Sequence, residues 1–254
     1  MDSDSDLELS PETLRALQQV MQEQQEQQDR FEKLRQLAEE RFDEAQEEES
    51  SDNKNNNDSA KSKDLQAVTM DLFREDWQLS QFWYDDATSE KLAREILNNT
   101  DSNSVVCCIS SPTAYVKLMS MNPPSTNNLF LFEYDSRFDV YGKQFIHYDY
   151  SRPLEFRLSE ELKESVDMIV VDPPFLSEEC LTKTLETVRH LMKKGGKAVL
   201  CTGLVMLEIA KKDGLELTTF HPGHQNGLSN DFRCYVNYKS EQFPLKGPEE
   251  TERP

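Results

Sequence analysis

The sequence predicts an α/β fold with a mostly parallel seven-stranded sheet that ends in an antiparallel hairpin. Between residues 104 and 220, short runs of apolar and β-branched residues alternate with amphipathic stretches of helical periodicity. This alternation is typical of parallel strands connected by helices that cover both faces of the sheet. The last two strand candidates are separated by residues 221–230, which have no helical pattern, so these two strands are predicted to pair antiparallel.

The individual elements follow from periodicity and from capping residues. Strands are predicted for 104–110, 129–134, 144–149, 166–172, 197–202, 215–220 and 232–238. Helices are predicted for 112–121, 178–192 and 203–212, with a shorter one near 159–163. One more helix precedes the first strand. Thr88 or Ser89 is its predicted N-cap, and its apolar face contains Leu92, Ala93, Ile96 and Leu97.

Composition divides the chain into a tail and a domain. Residues 1–64 carry 19 of the 48 acidic side chains and 8 of the 28 basic ones. Ser10 and Pro11 suit an N-cap and a first helical position, and a Gln- and Glu-rich helix is predicted from there to about Glu49. A low-complexity, Asn-rich linker follows. We therefore predict an acidic helical tail with a disordered linker over 1–63, a folded domain over 64–240 and a disordered tail over 241–254.

The formal net charge of −20 at pH 7 limits the possible partners. Tight binding to a nucleic-acid backbone depends on Lys and Arg side chains that neutralise phosphates, so this acidity opposes it. A basic protein partner fits the charge better, although a local basic patch can exist on an acidic chain. The sequence has neither a signal peptide nor an apolar run of about 18 residues, so no membrane contact is expected.

The cysteines and histidines indicate a compartment and show no metal-binding motif. The five cysteines are odd in number, and four of them lie in or beside apolar runs, as buried thiols in a reducing compartment do. The sequence contains no Cys-x-x-Cys pair, and the closely spaced histidines His221 and His224 have no further ligand candidates beside them. A soluble, cytoplasmic protein without a bound metal is predicted.

One strand and the turn after it carry most of the functional interpretation. Residues 166–175 read VDMIVVDPPF, and their apolar run predicts a strand buried on both faces. Asp172 follows that run, and Pro173 and Pro174 end the strand because proline cannot donate to a sheet ladder. Ligands of such sheets bind outside the carboxyl ends of the strands, so Asp172, the proline carbonyls and the Phe175 ring are predicted to face a crevice. The same residues also suit an ordinary strand-terminating turn.

The Asp-Pro-Pro-Phe pattern matches a signature of methyltransferases that use S-adenosyl-L-methionine to methylate a nitrogen. Such a reaction needs a nitrogen lone pair aimed at the sulfonium methyl group and acceptors for the hydrogens of the nitrogen. A carboxylate and a backbone carbonyl at one strand end provide those acceptors, and an aromatic ring packs on a planar base or an alkyl-ammonium stem. On this resemblance, Asp172, Pro173 and Phe175 are the predicted catalytic residues.

Several blocks along the chain resemble one family in the same order. These blocks are residues 79–84 (LSQFWY), 132–138 (FEYDSRF), 172–180 (DPPFLSEEC), 200–203 (LCTG) and 231–238 (DFRCYVNY). They resemble the lysine methyltransferases of elongation factor 1-alpha, a family once grouped with N6-adenine DNA methyltransferases because of the shared motif. The resemblance covers about residues 65–240. It implies a Rossmann-like class I methyltransferase fold with S-adenosyl-L-methionine as the cofactor.

The resemblance also implies where the cofactor binds. Class I methyltransferases usually carry a glycine-rich loop after the first strand. Here Ser110 and Ser111 take that place, as small residues that let the backbone approach the cofactor. Glu133, at the end of the second strand, is expected to hold the ribose hydroxyls, and Asp149, at the end of the third, the adenine amino group. Tyr84 is also predicted to bind the cofactor.

For the lysine substrate of this family, Trp83, Asn230 and Tyr235 form the predicted rim of the substrate pocket. The ε-ammonium group must lose a proton before transfer, and desolvation in the pocket favours that loss. The expected function is methyl transfer to a lysine of elongation factor 1-alpha by a monomer. Two alternatives remain open. One is an N6-adenine methyltransferase acting on DNA or RNA, and the other is a non-catalytic binding module, for which the glycine-free first loop argues.

Overall fold

The computed structural model describes residues 69–126, 128–227 and 230–247, together with seven isolated positions between residues 13 and 29. Those seven positions are helical and exposed, in agreement with the helix predicted for this part of the tail, and the Gln25 side chain donates to Asp29 one turn later at 2.8 Å. The predicted linker, the predicted domain start at residue 64 and residues 248–254 lie outside the described residues.

The described chain from residue 69 onward forms a seven-stranded sheet. Its strands are β1 (Val106–Ile109), β2 (Leu129–Glu133), β3 (Phe145–His147), β4 (Val166–Val171), β5 (Met192–Gly203), β6 (Glu216–Leu217) and β7 (Phe232–Val236). The strand order is β3-β2-β1-β4-β5-β7-β6. All neighbours pair parallel except β7, which runs antiparallel to both β5 and β6. The predicted fold class is confirmed, including the antiparallel closing hairpin.

The central strands are apolar throughout because both faces of the sheet are covered. All four residues of β1 are buried, and β4 is buried at every position except Asp167. β4 pairs with β1 on one side and with β5 on the other, so no edge of this strand meets solvent. β5 begins five residues before the predicted strand: Met192 was predicted to end the preceding helix, and residues 193–196 were assigned to no element. Met192 pairs with Val166 before a register shift.

Four helices of the described chain flank the sheet. They are α1 (Asp86–Asn99), α2 (Pro112–Ser120), α3 (Glu178–Leu191) and α4 (Leu207–Lys212), the last preceded by a 3-10 turn at Leu204–Met206. Proline at the first position opens α2, and the Ser177 side chain caps α3 by accepting from Cys180 N at 3.2 Å. Among the described helices, none has the length and apolar character of a bilayer span.

Two predictions about helices were wrong. The N-cap of α1 is Asp85, whose carboxylate accepts from Thr88 N at 2.7 Å, while Thr88 and Ser89 are buried inside the helix. The helix predicted near 159–163 is absent, and the described chain there forms turns. Leu158 and Glu164 bracket the segment with φ angles of 65° and 51°, so a right-handed helix cannot extend past one turn in either direction.

A lead-in segment, residues 69–85, lies across the carboxyl end of β2. A buried polar cluster fixes it there, because Gln81 donates to Asp135 at 2.8 Å and Arg137 donates to both Gln81 and Asp135 at 2.9 and 2.6 Å. Phe73 stacks on Phe138 with ring centroids 4.2 Å apart. These contacts hold the aromatic residues that follow the lead-in close to the strand ends.

The predicted disordered tail over 241–254 was wrong for residues 241–247. Phe243 is fully buried and stacks on Phe220 at 4.8 Å between ring centroids. Thr219 N donates to Pro244 O, and Lys246 N donates to Leu217 O, both at 2.8 Å. This segment therefore covers the outer edge of β6, which would otherwise present unpaired backbone groups.

Candidate functional site

A cavity of about 410 Å³ opens at the carboxyl ends of the parallel strands. Its wall combines Ser110 after β1, Glu133 at the end of β2, Asp149 after β3 and Asp172 after β4 with residues of the lead-in. The volume lies in the range of small-molecule and cofactor sites. The three acids that were predicted to share one crevice do so, because the ends of parallel strands meet at one edge of the sheet.

Asp172 is the central acid of the cavity. Its backbone N–H donates to Ile109 O at 3.0 Å, so the residue is still held by the β1 ladder, and Pro173 and Pro174 then end the strand. Burial raises the pKa of Asp172 to about 8, the Tyr84 hydroxyl opposes the rise, and the nearby Glu133 carboxyl adds to it. With this pKa the carboxyl is mostly protonated at pH 7 in the empty cavity, and it can act as a general base once it ionises, above about pH 8 or beside a bound cation.

Tyr84 is buried beside Asp172 and does not line the cavity. This corrects the prediction that Tyr84 binds the cofactor. Its ring is buried and packs on His224 at 5.0 Å between ring centroids. The hydroxyl lies beside Asp172 and the Cys201 thiol without an aligned hydrogen bond. Burial raises the pKa of Tyr84 well above its usual value, and the charge of Asp172 adds to this effect, so the hydroxyl stays a donor.

Tyr84→Phe is expected to move the pH at which activity appears upward by about half a unit to one unit, because the lost hydroxyl no longer favours ionised Asp172. The Michaelis constant for S-adenosyl-L-methionine should stay unchanged, since Tyr84 does not line the cavity. The measurement is kcat against pH for both proteins. An unchanged pH profile with a raised Michaelis constant for the cofactor would instead return Tyr84 to a cofactor-binding role.

Glu133 is buried at the end of β2 and points one oxygen at its own backbone. Oε1 accepts from Tyr134 N at 3.0 Å and from Asp135 N at 3.2 Å. Burial raises the pKa of Glu133 to about 7, although these two donors oppose the rise. Both hydrogen bonds use Oε1, so Oε2 is available to a hydroxyl-bearing ligand in the cavity.

Asp149 lines the cavity but is partly engaged by its own loop. Ser151 N donates to Oδ1 at 2.9 Å and Arg152 to Oδ2 at 3.4 Å. Burial acts to raise the pKa of Asp149, but the hydrogen bonds from Ser151 and Arg152 outweigh it and lower the pKa. Asp149 is therefore a charged acceptor at neutral pH, and its role towards an adenine amino group stays a prediction.

The structure separates the two serines of the first loop. Ser110 lines the cavity and has a φ angle of 48°, in the left-handed region that usually favours glycine. A serine held there carries about 1 kcal/mol of backbone strain, as is common where a chain approaches a ligand closely. Ser111 does not line the cavity: its side chain is buried, and its hydroxyl has no hydrogen-bond partner among the described residues. Its predicted cofactor contact is therefore corrected.

The remaining residues of the motif form an aromatic wall. Pro173, Pro174 and Phe175 line the cavity, and the exposed fraction of Phe175 is 40%. The Phe175 ring packs edge-on against Tyr150 with centroids 5.7 Å apart. Phe175 therefore places a flat apolar ring in the same cavity wall as Asp172, and its contact with a ligand stays a prediction.

Two of the three predicted substrate-binding residues line the cavity and one does not. Trp83 and Asn230 are wall residues, and Trp83 is fixed by a bond from its indole Nε1 to Phe73 O at 2.7 Å. Tyr235 is fully buried in the core and its hydroxyl donates to Gly203 O at 3.4 Å, so its predicted role was wrong. Because β7 runs antiparallel, its first residue, Phe232, reaches the cavity, and Tyr235 lies about 10 Å farther along the strand.

Sequence reasoning missed several wall residues. They are Gln78, Leu79, Ser80, Gln81, Phe82, Pro112, Thr113, Tyr134, Tyr148, Tyr150, Ser151, Leu176, His224 and Phe232. Some of them directly follow residues that were predicted, as Tyr134 follows Glu133 and Tyr150 follows Asp149, so the strand-end rule could have included them. The lead-in residues had no local signal for a place in the cavity wall, because tertiary contacts, such as those of Arg137 with Arg74 O and Gln81, bring them to the strand ends.

The ionisable side chains that line the cavity are mainly acidic. Among the described residues that line the cavity, none is Lys or Arg, and the one histidine, His224, has a pKa that burial lowers, so it is neutral at pH 7. Asp149 is ionised at pH 7, and a bound cation would favour ionisation of Glu133 and Asp172 as well, so the wall suits a positively charged ligand such as the sulfonium of S-adenosyl-L-methionine. Glu133 Oε2, the strained Ser110 backbone and Asp149 fit this cofactor. The described residues contain no cluster of three potential metal ligands.

Comparison with known proteins agrees with this geometry. Residues 75–240 match the family model "Probable N6-adenine methyltransferase". The chain is 46% identical over 181 residues to EEF1A lysine methyltransferase 1 of Gallus gallus, covering 70% of this chain and 83% of that protein. It is 45% identical over 171 residues to the Homo sapiens protein of the same name, covering 66% of this chain and 78% of that protein. It is 43% identical over 187 residues to Protein-lysine N-methyltransferase EFM5 of Saccharomyces cerevisiae, covering 67% of this chain and 75% of that protein. The chain therefore belongs to the probable N6-adenine methyltransferase family, together with these protein-lysine methyltransferases.

Proposed function

We propose that this protein transfers a methyl group from S-adenosyl-L-methionine to a lysine ε-amine of translation elongation factor 1-alpha. The observation that carries the proposal is the acidic cavity with Asp172 at its centre, in a chain whose relatives are named for this reaction. A cationic cofactor and a lysine side chain both complement such a wall. The cofactor supplies an activated methyl group on a sulfonium.

The chain's own residues prepare the amine. The apolar wall around Phe175 and Trp83 removes water from an entering lysine, which lowers the pKa of the ammonium group and favours the free amine. The ionised form of Asp172, which a bound cation favours, and the Pro173 carbonyl accept its hydrogen bonds and orient its lone pair, and the Asp172 carboxylate can then take the proton that is released. Phe175 packs against the alkyl stem. Glu133 and Asp149 hold the other ligand at the far strand ends.

The second candidate is methylation of an adenine N6 atom, which the Asp-Pro-Pro-Phe motif and the name of the matching family model favour. A planar base could stack on Phe175 beside the same acceptors. The cavity wall argues for the lysine, because among its described residues no Lys or Arg is present to meet a nucleic-acid phosphate.

The proposal is tested by transfer of a radiolabelled methyl group to purified elongation factor 1-alpha and, separately, to total DNA and RNA. We expect label in the protein, which protease removes and nuclease leaves. Label confined to the nucleic acid would support the adenine reaction and reject the lysine reaction. No label in any acceptor, combined with no cofactor binding, would leave a non-catalytic binding module.

We also propose that the protein acts in the cytoplasm as a monomer. All five cysteines are free and buried, although Cys201 and Cys234 face each other on paired strands. Buried cysteines outside disulfides are typical of proteins in a reducing compartment. The monomeric state stays a prediction.

A further inference from the structure

An apolar surface borders one side of the cavity mouth. The exposed fraction of Val205 is 80%, the highest among the exposed large apolar residues of the described chain. A Cβ atom placed on Gly203 would lie 3.1 Å from Leu176 Cδ2 and 3.5 Å from Val205 Cγ2, so these two side chains flank Gly203. Gly203 pairs with Phe232 across the β5–β7 ladder. We call Phe175, Leu176, Val205 and Phe232 the apolar rim.

The apolar rim is continuous with the cavity. Phe175, Leu176 and Phe232 each line the cavity wall, and Val205 extends the same surface outward on the 3-10 turn after β5. A branched apolar side chain that is four-fifths exposed keeps ordered water at its surface, and a partner that covers it releases that water. A molecule that inserts a side chain towards Asp172 therefore meets the apolar rim as it does so.

Three carboxylates lie within three residues of the apolar rim along the chain. Asp231 is held next to the turn because its carbonyl accepts from Leu204 N at 2.7 Å, and Arg233 engages its side chain. Glu178 and Glu208 are exposed in the first turns of α3 and α4. An apolar patch beside these acids and an acidic cavity complement a polypeptide that carries basic and apolar side chains together.

We propose that the apolar rim is the docking surface for the methyl-accepting polypeptide, which packs an apolar side chain on Val205 while its lysine enters the cavity. This inference rests on the proposed function and adds the surface that selects the lysine. The cavity admits any lysine that reaches it. The apolar rim restricts the reaction to a lysine with an apolar neighbour, because a segment without one leaves Val205 exposed.

The test compares Val205→Ser with the wild-type enzyme in steady-state methylation of purified elongation factor 1-alpha. In this proposal Val205 contacts the polypeptide and not the cofactor. Loss of the Val205 side chain should therefore raise the Michaelis constant for the protein substrate about tenfold. The value of kcat and the Michaelis constant for S-adenosyl-L-methionine should change less than twofold. Leu154→Ser is the matched control, because Leu154 is an exposed apolar residue, 39% accessible, that does not line the cavity.

The Michaelis constants of the three proteins for elongation factor 1-alpha decide whether the apolar rim is a docking surface. A tenfold effect in Val205→Ser with none in Leu154→Ser supports the docking surface. Equal Michaelis constants in all three proteins, or equal increases in both variants, would overturn it while leaving the proposed function in place. If the wild-type enzyme bound the cofactor but failed to label elongation factor 1-alpha, the proposed function itself would fail, and the docking surface with it.

Discussion

Replacing Asp172 with alanine is expected to reduce kcat for methyl transfer by about 10³-fold while cofactor binding persists. Asp172 is a carboxyl group of the cavity wall, and once it is ionised, above its raised pKa of about 8 or beside a bound cation, it can accept a proton. Alanine removes both the hydrogen-bond acceptor and the base. The amine would then enter without an orienting partner, and its lone pair would be aimed at the methyl group only by chance.

Asparagine at the same position separates the two roles of the carboxyl. Asp172→Asn keeps one acceptor oxygen in place but cannot take a proton at any accessible pH. If Asp172 only orients the amine, Asp172→Asn should retain most of the activity that Asp172→Ala loses. If it also accepts the proton, both variants should be similarly slow.

The measurement is single-turnover methyl transfer, with cofactor affinity determined separately by calorimetry. Asp86→Ala is the control, because the Asp86 side chain is 82% exposed at the start of α1 and pairs with Lys117 away from the cavity. Wild-type rates in Asp172→Ala would remove Asp172 from the mechanism.

The parts of the molecule that follow from local pattern were predictable from the sequence. A run such as residues 168–171 is apolar at every position, which indicates a strand covered on both faces, and two prolines mark its end. The strand-end rule then brought Glu133, Asp149 and Asp172 to one cavity without any tertiary information. The predictions of the fold class and of the acidic site residues therefore both rested on the apolar runs and on the residues that end them.

The parts that depend on tertiary contacts were not predictable. Ser110 and Ser111 are the same residue type, and only the backbone angle of Ser110 decides which of the two reaches the cavity. Tyr235 is an aromatic residue near the end of the chain like Phe232, and the antiparallel direction of β7 decides which of them faces a ligand. Residues 241–247 contain few apolar side chains, so no hydrophobic pattern in the sequence predicted that Phe243 is buried against Phe220.

The free energy of unfolding of the unliganded protein is expected to fall as pH rises from 6 to 8. Unfolded, Glu133 and Asp172 titrate near 4.5 and 3.8, but in the folded protein burial raises their pKa values to about 7 and about 8. Between these limits the folded state binds more protons than the unfolded state, so raising the pH favours unfolding. Each group costs about 1.4 kcal/mol per pH unit while it stays protonated in the folded protein, and both groups lose protons within this window, so the loss is on the order of 4 kcal/mol.

Comparison of variants isolates this effect from other titrating groups. Burial lowers the pKa values of His221 and His224, so the unfolded state binds more protons at these two histidines than the folded state does. Their contribution therefore raises the free energy of unfolding as pH rises, opposite to that of the two carboxyl groups. Urea unfolding at pH 6, 7 and 8 should show a smaller decline in Glu133→Gln than in wild type, and the control Glu186→Gln, on the exposed face of α3, should match wild type. A decline in Glu133→Gln as steep as that of wild type would show that Glu133 ionises in the folded protein as easily as in water. In that case the cavity would be wetter than its geometry indicates, and a cationic cofactor would gain less from entering it.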